Sequence, residues 1–203
     1  MTSFAVLRDL ARKPERSYQA GLEKCDLCGV ELTERHRHLI DPLSRRLTCA
    51  CNACAALFLT RGETKYKSVP RDVRLLTDFV LSDAQWDSLL IPIGLAFFFR
   101  SSVEGSVVAL YPSPAGSTES LLPQDAWEQI VADNPLLAGM HADVEALLVN
   151  RLNDPAEYYL APIDRCYELT GIIRSNWHGF FGGAEMWEKI HEFFIDLKAD
   201  ARA

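Results

Sequence analysis

Two C-x-x-C pairs are the clearest chemical pattern in the sequence. Cys25 and Cys28 make up the first pair, Cys51 and Cys54 make up the second, and 22 residues separate them. A C-x-x-C turn directs two sulfurs at one centre, so two such turns can supply the tetrahedron of a four-thiolate metal site. We therefore predict that these four cysteines are the metal ligands.

Zinc is the expected metal, because closed sites with four cysteine ligands are typically structural zinc sites. Iron in a rubredoxin-like site is the alternative, since it uses the same ligand set. A disulfide framework is not expected, because the first residues, 1–13, lack the apolar segment of a secretory signal.

Three further residues near the second pair are open to other interpretations. Cys49 precedes Cys51 by two positions and could replace it as a ligand if the strand continues. His36 and His38 could also be ligands. They alternate among arginines, so the other interpretation is a solvated polar face of a strand.

The segment around the pairs has the order of a treble-clef zinc module. Gly29 suits the left-handed turn that closes a knuckle. Residues 36–40 and 45–50 then indicate two strands, joined by turn-forming residues at 41–44. A helix follows from Asn52, so the second pair lies at a helix N-terminus, where free amides favour thiolates. We assign residues 23–64 to this module.

Length and charge narrow the possible functions. The chain has 203 residues and a net charge of −7, with 14 basic against 9 acidic residues before position 75 and 7 against 19 after it. This acidic excess would repel phosphate, so nucleic-acid binding is not expected. The longest apolar run, 89–99, is too short to span a membrane. We expect a cytoplasmic protein.

The remainder of the chain indicates an α+β domain at 81–203. Residues 1–22 indicate a short helix and a connector, and residues 65–80 an extended linker. Strands are predicted at 93–100, 106–111, 144–151 and 158–161, and helices from Ser82 and at 122–131, 163–174 and 185–198. Their order predicts an antiparallel sheet with helices packed on one face.

Other candidate chemistry is weaker. Cys166 needs a base such as His178 or His191 to act as a nucleophile, and a buried small side chain is the simpler interpretation. Residues 111–119 indicate a structural loop, and Trp177–Gly183 a glycine–aromatic loop that could border a pocket or contact a partner. Three acidic residues are interpreted as surface charges, and no catalytic set is assigned: Glu157, Asp164 and Glu168.

Several stretches resemble an uncharacterised bacterial family encoded beside [NiFe]-hydrogenase genes. The resemblance spans most of the chain from about Leu22 to Leu197, and these stretches carry it: Cys25–Gly29, Val69–Arg74, Ile91–Phe99, Tyr111–Gly116, Val144–Arg151 and Ala161–Tyr167. It implies an accessory role in hydrogenase assembly or maturation, with a hydrogenase subunit or maturation factor as partner. It implies no catalytic residues.

Two main classes of function follow, with a third as a further alternative. The first is a non-enzymatic accessory protein, since four cysteine ligands leave no open position on the metal. The second is an iron redox carrier, or a thiol enzyme that uses Cys49 and Cys166. A zinc-dependent nucleic-acid regulator is a third alternative, which a steep salt dependence of binding would reveal.

Overall fold

Two β-sheets and five α-helices form the described part of the chain in a computed structural model. The described residues are 23–59, 65–179 and 182–202. The helix and connector predicted within residues 1–22 lie outside them. No helix in these ranges is long and apolar enough to cross a bilayer.

The smaller sheet has three strands in the order β2-β1-β3. β1 (Arg37–Asp41) and β2 (Arg46–Ala50) form the predicted hairpin. Asp41 orders its turn by accepting hydrogen bonds from the Leu43 amide at 3.1 Å and the Ser44 hydroxyl at 2.8 Å. β3 (Lys67–Ser68) pairs with β1, and α1 (Asn52–Leu59) follows β2 directly.

The larger sheet has seven strands in the order β10-β4-β9-β8-β5-β6-β7. All neighbouring strands are antiparallel except β10 and β4, which are parallel. β4 lies within the segment predicted to be a linker. The strands are β4 (Val73–Leu75), β5 (Leu95–Arg100), β6 (Val107–Ser113), β7 (Gly116–Ser120), β8 (Glu145–Asn150), β9 (Glu157–Pro162) and β10 (Ala201–Arg202).

Four helices accompany this sheet, and a Ser82 capping box begins the first of them as its sequence predicts. A 3₁₀ helix (Pro135–Gly139) follows the second. The helices are α2 (Asp83–Ser88), α3 (Gln124–Asp133), α4 (Ile163–Asn176) and α5 (Ala184–Asp200).

Helices cover both faces of the larger sheet, so the prediction of helices on one face is wrong. Phe97 and Phe99 of β5 pack in one apolar cluster with side chains of α4 and α5. Phe98 points to the opposite face and stacks on Trp127 of α3, with 5.3 Å between ring centroids. A strand buried on both faces has a continuous apolar sequence, which explains the run in β5.

The stretch predicted to be a structural loop at 111–119 is instead part of the β6–β7 hairpin. Pro112 is tolerated within β6 because β5 pairs only with Val107 to Leu110. Gly116 begins β7 with φ of 114°, a conformation that side chains other than glycine rarely adopt.

Ionic contacts join the two sheets. The buried Asp143 carboxylate lies 2.5 Å from Lys67 Nζ of β3 and also accepts hydrogen bonds from the Ser102 amide and hydroxyl. Burial raises the pKa of Asp143, but the bonds from Lys67 and Ser102 outweigh it and hold the pKa below its usual range. Ile40 and Val69 add apolar contact by joining the cluster beneath α4 and α5.

We expect Asp143→Asn to lower the free energy of unfolding by about 1–3 kcal/mol, because it removes a buried charge that three donors satisfy. Because folding lowers the pKa of Asp143, its carboxylate contributes its full stabilisation above a pH of about 4. This stabilisation is lost as the pH falls further. Urea unfolding at pH 7 and at low pH measures both effects. Asp78→Asn, at an exposed carboxylate, is the control. Equal stability of the two variants at pH 7 would contradict the role of Asp143.

Candidate metal centre

The first cysteine pair lies in a tight turn before β1. The Cys25 amide donates to the Val30 carbonyl at 2.8 Å, and the Gly29 amide donates to the Cys25 carbonyl at the same distance. Gly29 has φ of 78°, in agreement with its predicted left-handed conformation. This knuckle directs Cys25 and Cys28 toward one point.

The second pair lies where β2 gives way to α1. The strand ends at Ala50 and the helix begins at Asn52, so Cys51 occupies the junction. The Cys54 amide donates to Cys51 Sγ at 3.4 Å, as it would to the side chain of an N-capping residue. The junction therefore turns both sulfurs toward the knuckle.

The four predicted ligands come together. The sulfurs of Cys25, Cys28, Cys51 and Cys54 all lie within 4.8 Å of one another. Cys28 Sγ and Cys51 Sγ are 3.8 Å apart. A tetrahedron with zinc–sulfur bonds of about 2.3 Å has edges of about 3.8 Å, so the four sulfurs can hold one metal ion of this size.

The electrostatics of the cluster also suit a cation. Burial raises the pKa of the Cys25 thiol, but backbone amides outweigh it and lower the pKa to about 6; the Cys51 amide is the largest contributor, at 3.3 Å from Cys25 Sγ. The hydrogen bond with Cys28, together with burial and the other thiols, raises the pKa of Cys54 to about 12. Four thiolates this close repel one another, and a bound cation removes that conflict.

The apolar core around this centre is small. Its buried members are Leu39, Ala50 and Ala55, with Leu27 and Tyr66 packed against them. A core of this size supplies little stabilisation by itself. A metal ion bound by both the knuckle and the strand–helix junction would add stabilisation that this core does not supply.

Cys49 does not belong to the four-cysteine cluster. It lies instead with His36 and His38, and the ligand atoms of these three residues are within 4.8 Å of one another. Cys49 and Cys51 diverge because β2 ends between them, so the same-face expectation for a continuing strand fails. The Cys49 amide donates to the Asp26 carboxylate at 2.8 Å, and the Asp26 amide donates to the Cys49 carbonyl at 2.9 Å. These two hydrogen bonds connect the knuckle to β2.

The two histidines do not form a solvated face. The His36 side chain is only 5% exposed, and the rings of His36 and His38 are edge to face with centroids 4.7 Å apart. His38 Nδ1 lies 2.6 Å from Asp164 Oδ2. The hydrogen bond to Asp164 is the main cause that raises the pKa of His38 to about 10, so the two form an ion pair at neutral pH.

Asp164 and Glu168 were both expected to be surface charges, and both instead line a cavity of about 950 Å³ between the small sheet and α4. Burial raises the pKa of Glu168, which lies 2.8 Å from Arg165 Nη1. The only sequence signal for Asp164 is its position in the first turn of α4, just after a strand. The histidine it contacts is 126 residues earlier, so no local pattern could reveal the pair.

The other candidates do not join this site within the described residues. Cys166 is buried in the apolar cluster beneath α4 and α5, and burial raises the pKa of its thiol. Glu157 bonds Lys198 Nζ at 2.9 Å. The glycine–aromatic segment connects α4 to α5, but its Phe180 and Phe181 lie outside the described residues.

Comparison with known proteins adds a family but no activity. A family model described as "Family of unknown function (DUF5947)" matches residues 24–201. The chain has no match among curated proteins and none among solved structures.

We expect Cys51→Ser to remove the metal from the four-cysteine centre and to lower the free energy of unfolding by about 4 kcal/mol or more, as loss of a structural metal does. Chemical denaturation measures the loss, and amide hydrogen exchange should show it concentrated at residues 25–54. A strong chelator should have the same effect on the wild-type chain. Val30→Ala, at a side chain of the same segment that is 50% exposed, is the control. Equal protection at residues 25–54 in Cys51→Ser and Val30→Ala would contradict the assignment.

Proposed function

The chain belongs to the family of unknown function (DUF5947), and we propose that it is a zinc-binding, non-enzymatic accessory protein. In this proposal the four-cysteine centre is structural and the protein works by binding another protein. The resemblance to a family encoded beside hydrogenase genes makes a [NiFe]-hydrogenase subunit or maturation factor the proposed partner.

The closed ligand set is the observation that carries this proposal. Four sulfurs within 4.8 Å of one another would fill the coordination sphere of a zinc ion and leave no position for a substrate or a reactive water. The order of knuckle, hairpin and helix, which is that of a treble-clef module, supports the same structural role. A module with a core of three buried residues gains its rigidity from the ion.

An iron-containing redox carrier is the second candidate. Backbone amides donate to Cys25 Sγ and Cys51 Sγ, and hydrogen bonds to sulfur are one means by which proteins set the potential of iron–sulfur centres. Cys28 is exposed, which would bring the metal close to an electron-transfer partner. The ligand geometry is the same for both metals, so the metal itself decides between these candidates.

We expect protein purified without added metal to be colourless, with zinc and no iron bound at the four-cysteine centre. Elemental analysis and a visible spectrum test this, and Cys51→Ser shows which signal belongs to that centre. Iron with a visible absorption band would replace the accessory role with electron transfer. Absence of any metal from freshly purified protein would overturn the metal assignment itself.

The outer face of α5 is the proposed partner surface. Trp187 is 49% exposed and Ile195, two turns later, is 54% exposed. Exposed tryptophan is a frequent anchor of protein interfaces. The same helix exposes four carboxylates, which favour a partner with a basic surface: Glu185, Glu188, Glu192 and Asp196.

We expect the tagged wild-type chain to retain a [NiFe]-hydrogenase subunit or maturation factor from the same cells. Trp187→Ala should weaken that interaction roughly 30-fold, since an anchoring aromatic contributes about 2 kcal/mol. Leu121→Ala removes a side chain that is 92% exposed elsewhere and serves as the control. The partner assignment fails if no hydrogenase protein is retained by the wild-type chain, and the surface assignment fails if both variants bind equally.

A further inference from the structure

A second group of metal-binding side chains lies beside the four-cysteine centre and shares no residue with it. His38 of β1 and Cys49 of β2 are direct cross-strand partners, so their side chains lie on the same face of the hairpin. His36 is two residues before His38 and joins them on that face. The ligand atoms of the three residues lie within 4.8 Å of one another.

Both histidine rings are held by hydrogen bonds at Nδ1. His38 Nδ1 lies 2.6 Å from the Asp164 carboxylate, and His36 Nδ1 lies 3.0 Å from the Thr33 carbonyl oxygen. A carbonyl oxygen only accepts, so His36 carries a proton on Nδ1, and in the neutral ring Nε2 then has a free electron pair. This arrangement is the one by which carboxylates and carbonyls orient histidines that bind metals.

His36 Nε2 is buried and forms no hydrogen bond among the described residues. The Glu23 carboxylate is close, with 3.4 Å between His36 Nε2 and Glu23 Oε2, and forms an ion pair with the ring only when Nε2 is protonated. Buried polar atoms almost always have a partner, and a metal ion at this position would supply one.

The group faces the cavity of about 950 Å³ and is not enclosed by protein on all sides. Three protein ligands leave a fourth position on a tetrahedral ion, and here that position would open into the cavity. Acidic residues outnumber basic ones on the cavity wall, which favours a cation: Glu23, Glu34, Asp164, Glu168, Asp196 and Asp200 line it together with Arg35, Arg71 and Arg165.

We propose that His36, His38 and Cys49 form a second metal site, which takes a divalent transition-metal ion of the zinc class and leaves one coordination position open to the cavity. Two imidazoles and one thiolate are ligands that suit zinc and the metals near it in softness, whereas magnesium and calcium require oxygen. The ion would replace a proton on His38 and the thiol proton of Cys49. The proposal goes beyond the function given above, since it holds whether the four-cysteine centre contains zinc or iron.

Zinc titration of the full chain, followed by native mass spectrometry, tests the site. We expect two metal ions on the wild-type chain at saturating zinc, one in the four-cysteine centre and one here. His38→Ala and Cys49→Ser should each retain one. His191→Ala removes an exposed histidine of α5 and should retain two. One ion on the wild-type chain, or two on His38→Ala, would overturn the proposal.

Asp164→Asn tests the positioning role of the carboxylate. It should bind the second zinc about 10–100-fold more weakly than the wild type and still reach two ions at saturation. His191→Ala should show the wild-type affinity. Unchanged affinity in Asp164→Asn would contradict the assigned orientation of His38.

X-ray absorption at the zinc edge needs no variant and therefore does not depend on a variant's folding. Wild-type protein with two zinc ions should show zinc–sulfur distances of about 2.3 Å together with zinc–nitrogen distances of about 2.0 Å. A shell of sulfur alone in the two-zinc protein would exclude the histidines as ligands.

Discussion

The N-terminal module depends on the convergence of its two cysteine pairs. The apolar cluster beside the cysteines has three buried side chains among the described residues and supplies little stabilisation, so we expect the bound ion to fix the knuckle, hairpin and helix relative to one another. Backbone amides of the strand–helix junction donate to the sulfurs of Cys25 and Cys51 and so orient them as ligands. Metal binding and folding of this module are therefore expected to be one event.

The larger sheet gains its stability differently. Its central strands bury side chains on both faces, and the helices on each side form extended apolar clusters without any metal. Ionic contacts then fix the small module on the α4 side, through Lys67 and Asp143 in one place and His38 and Asp164 in another. The cavity lies between these parts, so its shape depends on both.

The sequence was sufficient for features that depend on local patterns. The C-x-x-C spacing identified the four clustered cysteines, and Gly29, the Asp41 turn and the Ser82 cap have the conformations their residue types indicated. The continuous apolar sequence of β5 is typical of a strand buried on both faces, whereas the predicted arrangement with helices on one face would require alternating apolar and polar residues. The hairpin at 111–119 was missed because proline, serine and glycine suggest a loop, although Pro112 lies beyond the part of β6 that pairs with β5 and interrupts no ladder with that strand.

Features that depend on distant residues could not be found in this way. Asp164 meets His38 across 126 positions, and the contact requires the small sheet to pack against the start of α4. Cys49 was an alternative to Cys51 as a ligand only if the strand continued. Because β2 ends at Ala50, the sulfurs of Cys49 and Cys51 point in different directions. Sequence patterns do not locate the end of a strand to within one residue.

The hydrogen bonds between Asp26 and Cys49 connect the four-cysteine centre with the group formed by His36, His38 and Cys49. Asp26 is part of the knuckle that presents Cys25 and Cys28, and Cys49 is the sulfur of the histidine group. An ion that orders the knuckle therefore also restrains the strand position from which Cys49 projects, so part of the entropy cost of a second ion has already been met. Such a linkage is reciprocal, and each ion would change the affinity for the other by the same factor. The hairpin therefore links the two groups, and an ion bound at either one would favour binding at the other.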